Sequence, residues 1–408
     1  MSGAPEGASH WAGTLAERGA AALLPTYARY PVELVSGSGC RLEDSSGRRY
    51  LDLLAGIAVS ALGHGHPALV EALRRAASGL LHTSNLYWTE PMVRLAERLT
   101  AAAGMERAFF CNSGAEAVEA AIKLARKARP GRPRIVCFER SFHGRTLGAL
   151  SATAQPRYQE SFRPLLAGVE VLPFGNSEAA ERAIDEEVAL VLVEPIQGEG
   201  GVRPAPPGWL QLLRQRCDTA GTLLVFDEVQ SGLGRTGTFF AYQGEGVVPD
   251  AVTCAKALAG GLPMGALLAR GEAAAAFEPG DHASTFGGGP LVSAAAHAVL
   301  DVVLAEGFLD EVRRKGERLR DGIEELAAHS PLAAEVRGRG LMLGLRLAEP
   351  RAGELVDALR EAGALTCPAG ADVVRFVPPL VIGREEIDEA LGILDRALAS
   401  LPQHAEAR

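Results

Sequence analysis

The central part of this chain alternates short, apolar, β-branched runs with longer segments of helical periodicity. Strands buried on both faces of a parallel sheet have near-continuous apolar sequences, and the helices between them cover that sheet. The pattern therefore predicts an α/β fold with a mostly parallel central sheet. The runs that indicate strands are RAFFCN (107–112), RIVCFE (134–139), VEVLPF (169–174), VALVLVEP (188–195), TLLVFDE (222–228) and AVTCA (251–255), and those that indicate helices include 114–128 and 207–221.

The 408 residues are enough for two to three domains at ~150 residues each. Changes in the periodicity of apolar residues divide the chain into four segments. Residues 1–20 lack apolar periodicity and are expected to form a flexible leader. Residues 21–60 contain strand-like runs with a Ser-Ser-Gly turn, which predict an antiparallel element in the N-terminal segment of a small domain. Residues 61–304 form the predicted large domain, and residues 305–408, helical and then strand-like, form the C-terminal α+β part of the small domain.

Composition and charge exclude several classes of protein. Lys and Arg number 41 against 50 Asp and Glu, the net charge is -9, and no basic block offers the positive patch that nucleic acid requires. No apolar run reaches the ~18–20 residues of a membrane helix and the N-terminus lacks signal-peptide features, so we expect a cytoplasmic protein without a membrane partner. The cysteines form no C-x-x-C pair, and His64 and His66 have no carboxylate or cysteine nearby in sequence, so no metal site is predicted.

Three polar features follow predicted strands, where ligands of parallel sheets bind. Ser113 and Gly114 open a helix, and free N–H groups there can hold a phosphate, although a Ser-Gly helix entry also occurs as a plain N-cap. Asp227 ends an apolar run, and a buried carboxylate needs a partner. Lys256 lies in an apolar stretch, where burial would make its amine nucleophilic; an exposed Lys with its stem on apolar neighbours is the alternative.

A fourth feature is the loop Ser284-Thr285-Phe286-Gly287-Gly288-Gly289-Pro290, whose hydroxyl and backbone groups can donate to a phosphate. Alone, this loop is compatible with any flexible turn. Together, the four features match what pyridoxal phosphate (PLP) needs: a lysine, an acid for the pyridine nitrogen and donors for the phosphate.

Over roughly residues 22 to 395 the chain resembles the class III PLP-dependent aminotransferases of fold type I, and among them the acetylornithine and ornithine aminotransferases. This resemblance implies a large domain with a mostly parallel sheet, a smaller α+β domain and a homodimer with its active site at the subunit interface. The motifs that carry it are GIAVSALGHGHP, HTSNLYWTEP, FFCNSGAEAVEAAIKLAR, SFHGRT, VEPIQGEGG, LVFDEVQSGLGRTG, CAKALAGGLPMGA, STFGGGP and RFVPPLVI.

The resemblance implies a role for each matching residue. Lys256 binds the cofactor covalently, Asp227 pairs with its pyridine nitrogen, and Thr285 of the partner subunit reaches its phosphate. Arg145 binds the substrate carboxylate, while Glu199 and Arg375 form a switch, salt-bridged for one substrate and separated for the other. The remaining implied contacts are Ser113, Gly114 and Ala115 to the phosphate, Phe142 and Val229 to the two ring faces, Gln230 to the ring oxygen, and Tyr27 and Ser284 to the substrate.

The expected activity is transfer of the ω-amino group of N-acetylornithine, or a similar ω-amine, to 2-oxoglutarate, giving a semialdehyde and glutamate in arginine biosynthesis. Ornithine, succinylornithine, 4-aminobutyrate and a lysine-derived amine remain alternative donors, and a glutamate-1-semialdehyde aminomutase-like isomerase is a different reaction class. The chain departs from the family pattern at Gly289, where relatives usually carry Asn, and at Trp88, where they carry Tyr. Both departures bear on substrate preference.

Overall fold

The computed structural model describes residues 13–402. Its helices are α1 (Leu15–Ala22), α2 (Ala55–Ala58), α3 (Pro67–Ala77), α4 (Glu90–Ala103), α5 (Gly114–Ala128), α6 (Leu147–Ala152), α7 (Pro156–Gln159), α8 (Ser177–Ala183), α9 (Trp209–Ala220), α10 (Gly271–Ala275), α11 (Pro290–Val303), α12 (Phe308–Ala328), α13 (Ala352–Ala362) and α14 (Arg384–Ser400). Its strands are β1 (Leu34–Ser38), β2 (Arg41–Asp44), β3 (Arg49–Asp52), β4 (Arg107–Cys111), β5 (Arg134–Phe138), β6 (Val169–Leu172), β7 (Val188–Val193), β8 (Ile196–Gln197), β9 (Arg203–Pro204), β10 (Leu223–Asp227), β11 (Ala251–Cys254), β12 (Gly265–Ala269), β13 (Ala333–Arg339), β14 (Met342–Leu347), β15 (Ala364–Leu365), β16 (Cys367–Pro368) and β17 (Val373–Phe376).

A seven-stranded sheet in the order β4-β12-β11-β10-β7-β5-β6 forms the centre of the molecule. The pairs β11–β10, β10–β7, β7–β5 and β5–β6 are parallel, which confirms the predicted α/β class. Strand β12 runs antiparallel to both β11 and β4. The sequence analysis did not predict β12, because its Gly-Ala-Leu-Leu-Ala sequence has neither β-branched nor aromatic residues.

Every residue of the central strand β7 is buried, as expected of a strand covered on both faces. On one face the indole of Trp209, at the start of α9, packs edge-on against Phe138 and Phe174, with ring centroids 4.8 and 5.0 Å apart. On the other face α5 packs with Val118, Ile122 and similar apolar side chains. These two layers fix the direction of the strands and therefore the edge at which their polar ends meet.

Two smaller sheets hold the chain ends. The predicted antiparallel element is confirmed as β1, β2 and β3, and β3 also pairs in parallel with β15 near the C-terminus. A second four-stranded sheet has the order β13-β14-β17-β16 and carries Arg375 on β17. These pairings join the N-terminal strands to the C-terminal region, and the domain boundaries at residues 60 and 304 stay a prediction.

Most of the second half of the predicted flexible leader is helical, and its flexibility stays a prediction. Residues 15–20 belong to helix α1, while residues 1–12 lie outside the described part of the chain. Thr14 and Glu17 form a capping box: the Thr14 hydroxyl accepts from the Glu17 N–H, and the Glu17 carboxylate accepts from the Thr14 N–H at 2.8 Å. The helix has no buried residue, so the cap and not apolar periodicity marks it.

Between residues 13 and 402, no single helix has both the length and the apolar character needed to cross a membrane. The helices α11 and α12 meet the length and hydropathy criteria for a membrane span only when they are counted together, and a bend of 72° separates them. The six cysteines are all buried and free.

Two glycines inside helices give a matched test of this packing. A methyl group at Gly316 on α12 would lie 2.4 Å from the backbone of Gly340, whereas one at Gly392 on α14 would meet only Arg396 Nη1, at 3.7 Å. We expect Gly316→Ala to destabilise the protein by ~1–3 kcal/mol through overpacking. Gly392→Ala should be neutral or stabilising by up to ~1 kcal/mol, because alanine is the better helix former. Urea denaturation of both variants measures the difference, and equal effects would contradict the predicted packing.

Candidate active site

A cavity of about 430 Å³ opens at the carboxyl ends of the parallel strands, where polar side chains of several strands converge. Its walls come from the loops that follow β4, β5, β7, β10 and β11. The sequence-predicted residues that line it are Ser113, Gly114, Ala115, Phe142, Arg145, Glu199, Asp227, Val229, Gln230 and Lys256.

Asp227 ends β10, and its carboxylate is 4% exposed. Its Oδ2 lies 2.7 Å from His143 Nδ1, and its Oδ1 accepts from the Val229 N–H at 3.0 Å and from the Thr253 hydroxyl at 3.2 Å. Three neighbours therefore satisfy a buried carboxylate that would otherwise be costly. These contacts fix the orientation of the Asp227 side chain, which lines the cavity.

Lys256 begins a short 3₁₀ helix, Lys256–Ala259, directly after β11. Its φ of 44° lies in the left-handed region, a strained conformation for a residue with a side chain that is typical of functional sites. Burial lowers the pKa of Lys256, although Glu199 opposes the shift. Within residues 13–402, its amine has no hydrogen-bond or ion-pair partner. Lys256 is partly buried and lines the cavity, which argues against the alternative of an exposed lysine and leaves its amine accessible to a ligand there.

The start of α5 provides the anion site. Ser113 is its N-cap, and the Ser113 hydroxyl accepts from the Glu116 N–H at 3.2 Å and donates to the Glu116 carboxylate at 3.0 Å. The N–H groups of Gly114 and Ala115 have no acceptor among the described residues, and both residues line the cavity. Both readings of the Ser-Gly entry hold together: Ser113 caps the helix, and the next two N–H groups remain available to an anion.

Arg375 lies on β17 and is 1% exposed, the most deeply buried cation at the site. Its Nη1 lies 2.5 Å from Glu199 Oε1 and 3.0 Å from Gln230 Oε1, and its Nη2 donates to Cys367 Sγ at 3.0 Å. Burial raises the pKa of Glu199, but the cations of Arg375 and Lys256 outweigh it and hold that pKa below its ordinary value. The structure brings Glu199 and Arg375 together in the closed form of the predicted pair.

Arg145 also lines the cavity. Its guanidinium carbon lies 3.8 Å from the centroid of the Tyr158 ring and 5.5 Å from that of Phe142. In the described part of the chain it has no carboxylate partner. The cavity thus presents one neutralised arginine and one unpaired arginine to a ligand.

Three predicted contacts lie outside this cavity. Tyr27 is 74% exposed, with the guanidinium carbon of Arg29 5.5 Å from its ring centroid, while Thr285 is exposed in the glycine-rich loop. Ser284 approaches the anion site indirectly, since its hydroxyl lies 3.2 Å from Asn112 Nδ2. Their roles toward cofactor and substrate stay predictions.

Three buried side chains beside Asp227 have no role predicted from the sequence. His143 bonds Asp227, and its Nε2 has no partner in the described chain. Glu194 accepts from the N–H groups of Phe142 and Gly198, and burial raises its pKa to about 7. Glu228 has its pKa raised to about 7 by burial and holds the loop that follows β10. The His-Gly-Arg motif drew attention to this loop, but nothing in sequence indicates contacts between segments 84 residues apart.

His64 does not face a ligand. Its Nε2 lies 2.7 Å from the Asp52 carboxylate, which the sequence analysis missed because Asp52 is 12 residues away. Between residues 13 and 402, no three His, Cys, Asp or Glu side chains are placed to hold a metal ion.

His143 is a positioning residue whose loss is testable. We expect His143→Ala to lower kcat/KM by roughly 10–100-fold, because a hydrogen bond to a charged group is worth ~1.5–3 kcal/mol. His143→Asn should restore most of the loss, since its amide nitrogen can replace Nδ1. Ser141→Ala is the control: its buried hydroxyl bonds only the backbone, so it should lower stability without affecting kcat/KM. An Asn variant as slow as the Ala variant would contradict the assignment.

Comparisons with known proteins agree with this geometry. Residues 25–398 match the model of the family "Aminotransferase class-III". The chain is 51% identical over 388 residues to the acetylornithine aminotransferase of Gloeobacter violaceus, covering 93% of this chain and 96% of that protein. The N-acetylornithine aminotransferase structure from Stenotrophomonas maltophilia superposes with a TM-score of 0.80 at 42% identity, covering 91% and 97%. An ornithine aminotransferase structure from Toxoplasma gondii, with PLP partly occupying the active site, superposes with a TM-score of 0.89 at 34% identity, covering 93% of each chain. The chain therefore belongs to the class-III aminotransferase family.

Proposed function

We propose that this protein is a PLP-dependent aminotransferase that transfers the ω-amino group of N-acetylornithine to 2-oxoglutarate, giving N-acetylglutamate semialdehyde and glutamate. The observation that carries the proposal is the amine of Lys256, which has no partner among the described residues and lines one cavity with the buried carboxylate of Asp227. A nucleophilic amine and a fixed carboxylate are the two groups that PLP chemistry requires of a protein. The proposal includes a cytoplasmic location and a place in arginine biosynthesis.

The residues present fit PLP. The free N–H groups of Gly114 and Ala115 match its phosphate, and the carboxylate of Asp227 matches a protonated pyridine nitrogen. The space between Gly114 and Val229 is tight, since a methyl group at Gly114 would lie 2.8 Å from Val229 Cγ1. Phe142 and Val229 line the cavity as the predicted contacts of the two ring faces. Lys256 would bind the aldehyde carbon.

PLP, when bound, supplies an electron sink that stabilises negative charge on the carbon from which a proton is removed. Asp227 keeps the pyridine nitrogen protonated, and each pKa unit of that bias is worth ~1.4 kcal/mol. Burial lowers the pKa of Lys256, so its amine can act as a base near neutral pH. Lys256 Nζ would take the proton from the reacting carbon of the substrate and return it on the other side of the carbon–nitrogen bond. Positioned acid–base groups of this kind contribute ~10²–10⁴-fold to rate.

The two arginines support a site that serves two substrates in turn. An ω-amine has no carboxylate beside its reacting carbon, so Arg375 needs Glu199 as its partner when the amine is bound. 2-Oxoglutarate has such a carboxylate, and Glu199 must then move away to release Arg375. Arg145 has no carboxylate partner in the described chain and lines the same cavity, where it can bind the distal carboxylate of either substrate.

N-Acetylornithine is favoured over ornithine by charge. Acetylation removes the positive charge of the α-amino group, which would otherwise lie near the unpaired guanidinium of Arg145. The names of the Gloeobacter violaceus and Stenotrophomonas maltophilia proteins agree with this choice. Ornithine, succinylornithine, 4-aminobutyrate and a lysine-derived amine remain the competing donors.

The surface supports a homodimer as part of the proposal. The segment 80–88 exposes a run of large apolar side chains, among them Trp88 at 88% and Leu86 at 87%. Asn85 Nδ2 donates to the carbonyls of Ser284 and Gly287, which joins this segment to the loop of Thr285. A second copy covering this face would bury the apolar residues and bring Thr285 of the partner subunit toward the anion site.

The activity test is a panel of ω-amines with 2-oxoglutarate as acceptor and glutamate as the measured product. We expect kcat/KM for N-acetylornithine to exceed that for ornithine at least tenfold, a difference of ~1.4 kcal/mol. Lys256→Ala should abolish turnover, and borohydride should fix PLP to Lys256 of the wild type, as read by peptide mass spectrometry. Absence of glutamate with every amine would overturn the proposal. Conversion of glutamate 1-semialdehyde without a keto acid would favour an aminomutase.

Hybrid dimers test whether Thr285 acts across the interface. A dimer of one Lys256→Ala chain and one Thr285→Val chain keeps a single Lys256, in the chain that carries the valine. If Thr285 serves the partner's site, that Lys256 receives an intact threonine, and the hybrid should have about half of the wild-type activity. If Thr285 serves its own chain, the hybrid should be no more active than half of the Thr285→Val homodimer, which would contradict the dimer arrangement.

A further inference from the structure

A second cavity, of about 690 Å³, lies between the region that carries β8 and β9 and the sheet of β13 and β14. We name it the arginine cavity. Five arginines line it against two carboxylates, and the side chains involved are Arg140, Arg203, Arg320, Arg337, Arg346, Glu335 and Asp372. None of these residues lines the candidate active site.

The arginines of this cavity are unequally neutralised. Glu335 pairs with both Arg337, at 3.0 Å, and Arg346, at 3.2 Å. Arg320 pairs with Glu324 at 3.2 Å. Arg140 and Arg203, by contrast, form no ion pair and no side-chain hydrogen bond with the part of the chain that the structure describes. The cavity therefore contains two guanidinium groups without a carboxylate partner among the described residues, Arg140 exposed and Arg203 partly buried, and an excess of positive charge.

This excess is unfavourable in the free protein. Arg203 is half-buried, and its guanidinium carbon lies 5.6 Å from the Phe174 ring centroid. Burial lowers the pKa of Arg203 most, and the positive charges of Arg140 and Arg337 lower it further. Like charges held together at a partly desolvated site repel one another. An anion in the cavity would relieve that repulsion and supply the missing acceptors.

The wall between the arginine cavity and the active site consists of two short segments. Arg203 on β9 pairs in register with Gln197 on β8, and the connecting turn carries Glu199. Arg337 Nη1 donates to the carbonyl of Gly201, in the same turn, at 3.4 Å. The other segment carries Arg140, two residues before Phe142. Groups that bind in the arginine cavity are thus one turn away from Glu199.

We propose that the arginine cavity binds a small polyanion with two or three negative charges and that its occupation favours the open position of Glu199. Guanidinium groups bind carboxylate and phosphate oxygens in bidentate pairs, and the two arginines in excess of the carboxylates of Glu324, Glu335 and Asp372 match that charge. A ligand that engages Arg337 withdraws its hydrogen bond from Gly201. The turn of Glu199 is then less constrained, which weakens the contact with Arg375 and favours binding of 2-oxoglutarate over the ω-amine.

Calorimetric titration of the holoenzyme tests the site, with pyrophosphate and citrate as separate probes and sodium chloride holding the ionic strength constant. The two probes distinguish a phosphate from a carboxylate ligand. We expect one saturable site per chain for at least one probe. The double variant Arg140→Gln/Arg203→Gln should weaken binding at least tenfold, and Arg182→Gln, which removes an exposed arginine on α8, should leave it unchanged.

The outcomes separate this site from the active site. Failure of both probes to saturate, or loss of binding in Arg145→Gln with retention in the double variant, would overturn the proposal. The coupling to Glu199 rests on the proposed function and is read from single-turnover half-reactions. The probe should shift their ratio at least twofold toward 2-oxoglutarate in the wild type and not in the double variant. Binding without that shift would overturn the coupling and retain the site, and an inactive enzyme that still binds the probe would overturn only the proposed function.

Discussion

The site depends on the hydrogen bonds that hold the buried carboxylate of Asp227. Its partners come from three parts of the sheet edge: Thr253 pairs with it in the parallel register of β10 and β11, His143 follows β5, and Val229 follows β10 itself. A buried charge without such partners would cost several kcal/mol, so the three segments must meet at this point for the chain to fold. Lys256 lies three residues after Thr253, and its position at the cavity follows from the same register.

Three further carboxylates near Asp227 have different environments and therefore different tasks. Burial raises the pKa of Glu194 and of Glu228 to about 7, and backbone N–H groups hold both in place. Glu194 joins the Phe142 loop to the turn that carries Glu199, through the N–H groups of Phe142 and Gly198. Glu199 alone faces two cations, which keep its pKa low. Glu194 and Glu228 thus hold the loops around the site in place, whereas Glu199 is available to exchange partners.

The strands and the chemically important residues of the large region could be predicted from sequence, because apolar runs of buried parallel strands and the polar residues after them are local signals. Contacts between distant segments could not: the partner of His143 lies 84 residues away, and β12 has a sequence of low β-propensity. Helix α1 was missed because its signal is the cap formed by Thr14 and Glu17, not a buried face. The role of Thr285, which is exposed in the single chain, is implied only by the family resemblance and stays a prediction.

Burial of Arg375 explains why the closed pair is the resting arrangement. A guanidinium that is 1% exposed and loses its carboxylate leaves a buried charge uncompensated, at a cost of ~3–5 kcal/mol. Glu199 can therefore leave only when another anion arrives, and the carboxylate of an incoming keto acid is such a group. The same turn is held from behind by Arg337 through Gly201. Under the proposed function, the preference between the two substrates would depend on carboxylates competing for one arginine and on how firmly the turn of Glu199 is held.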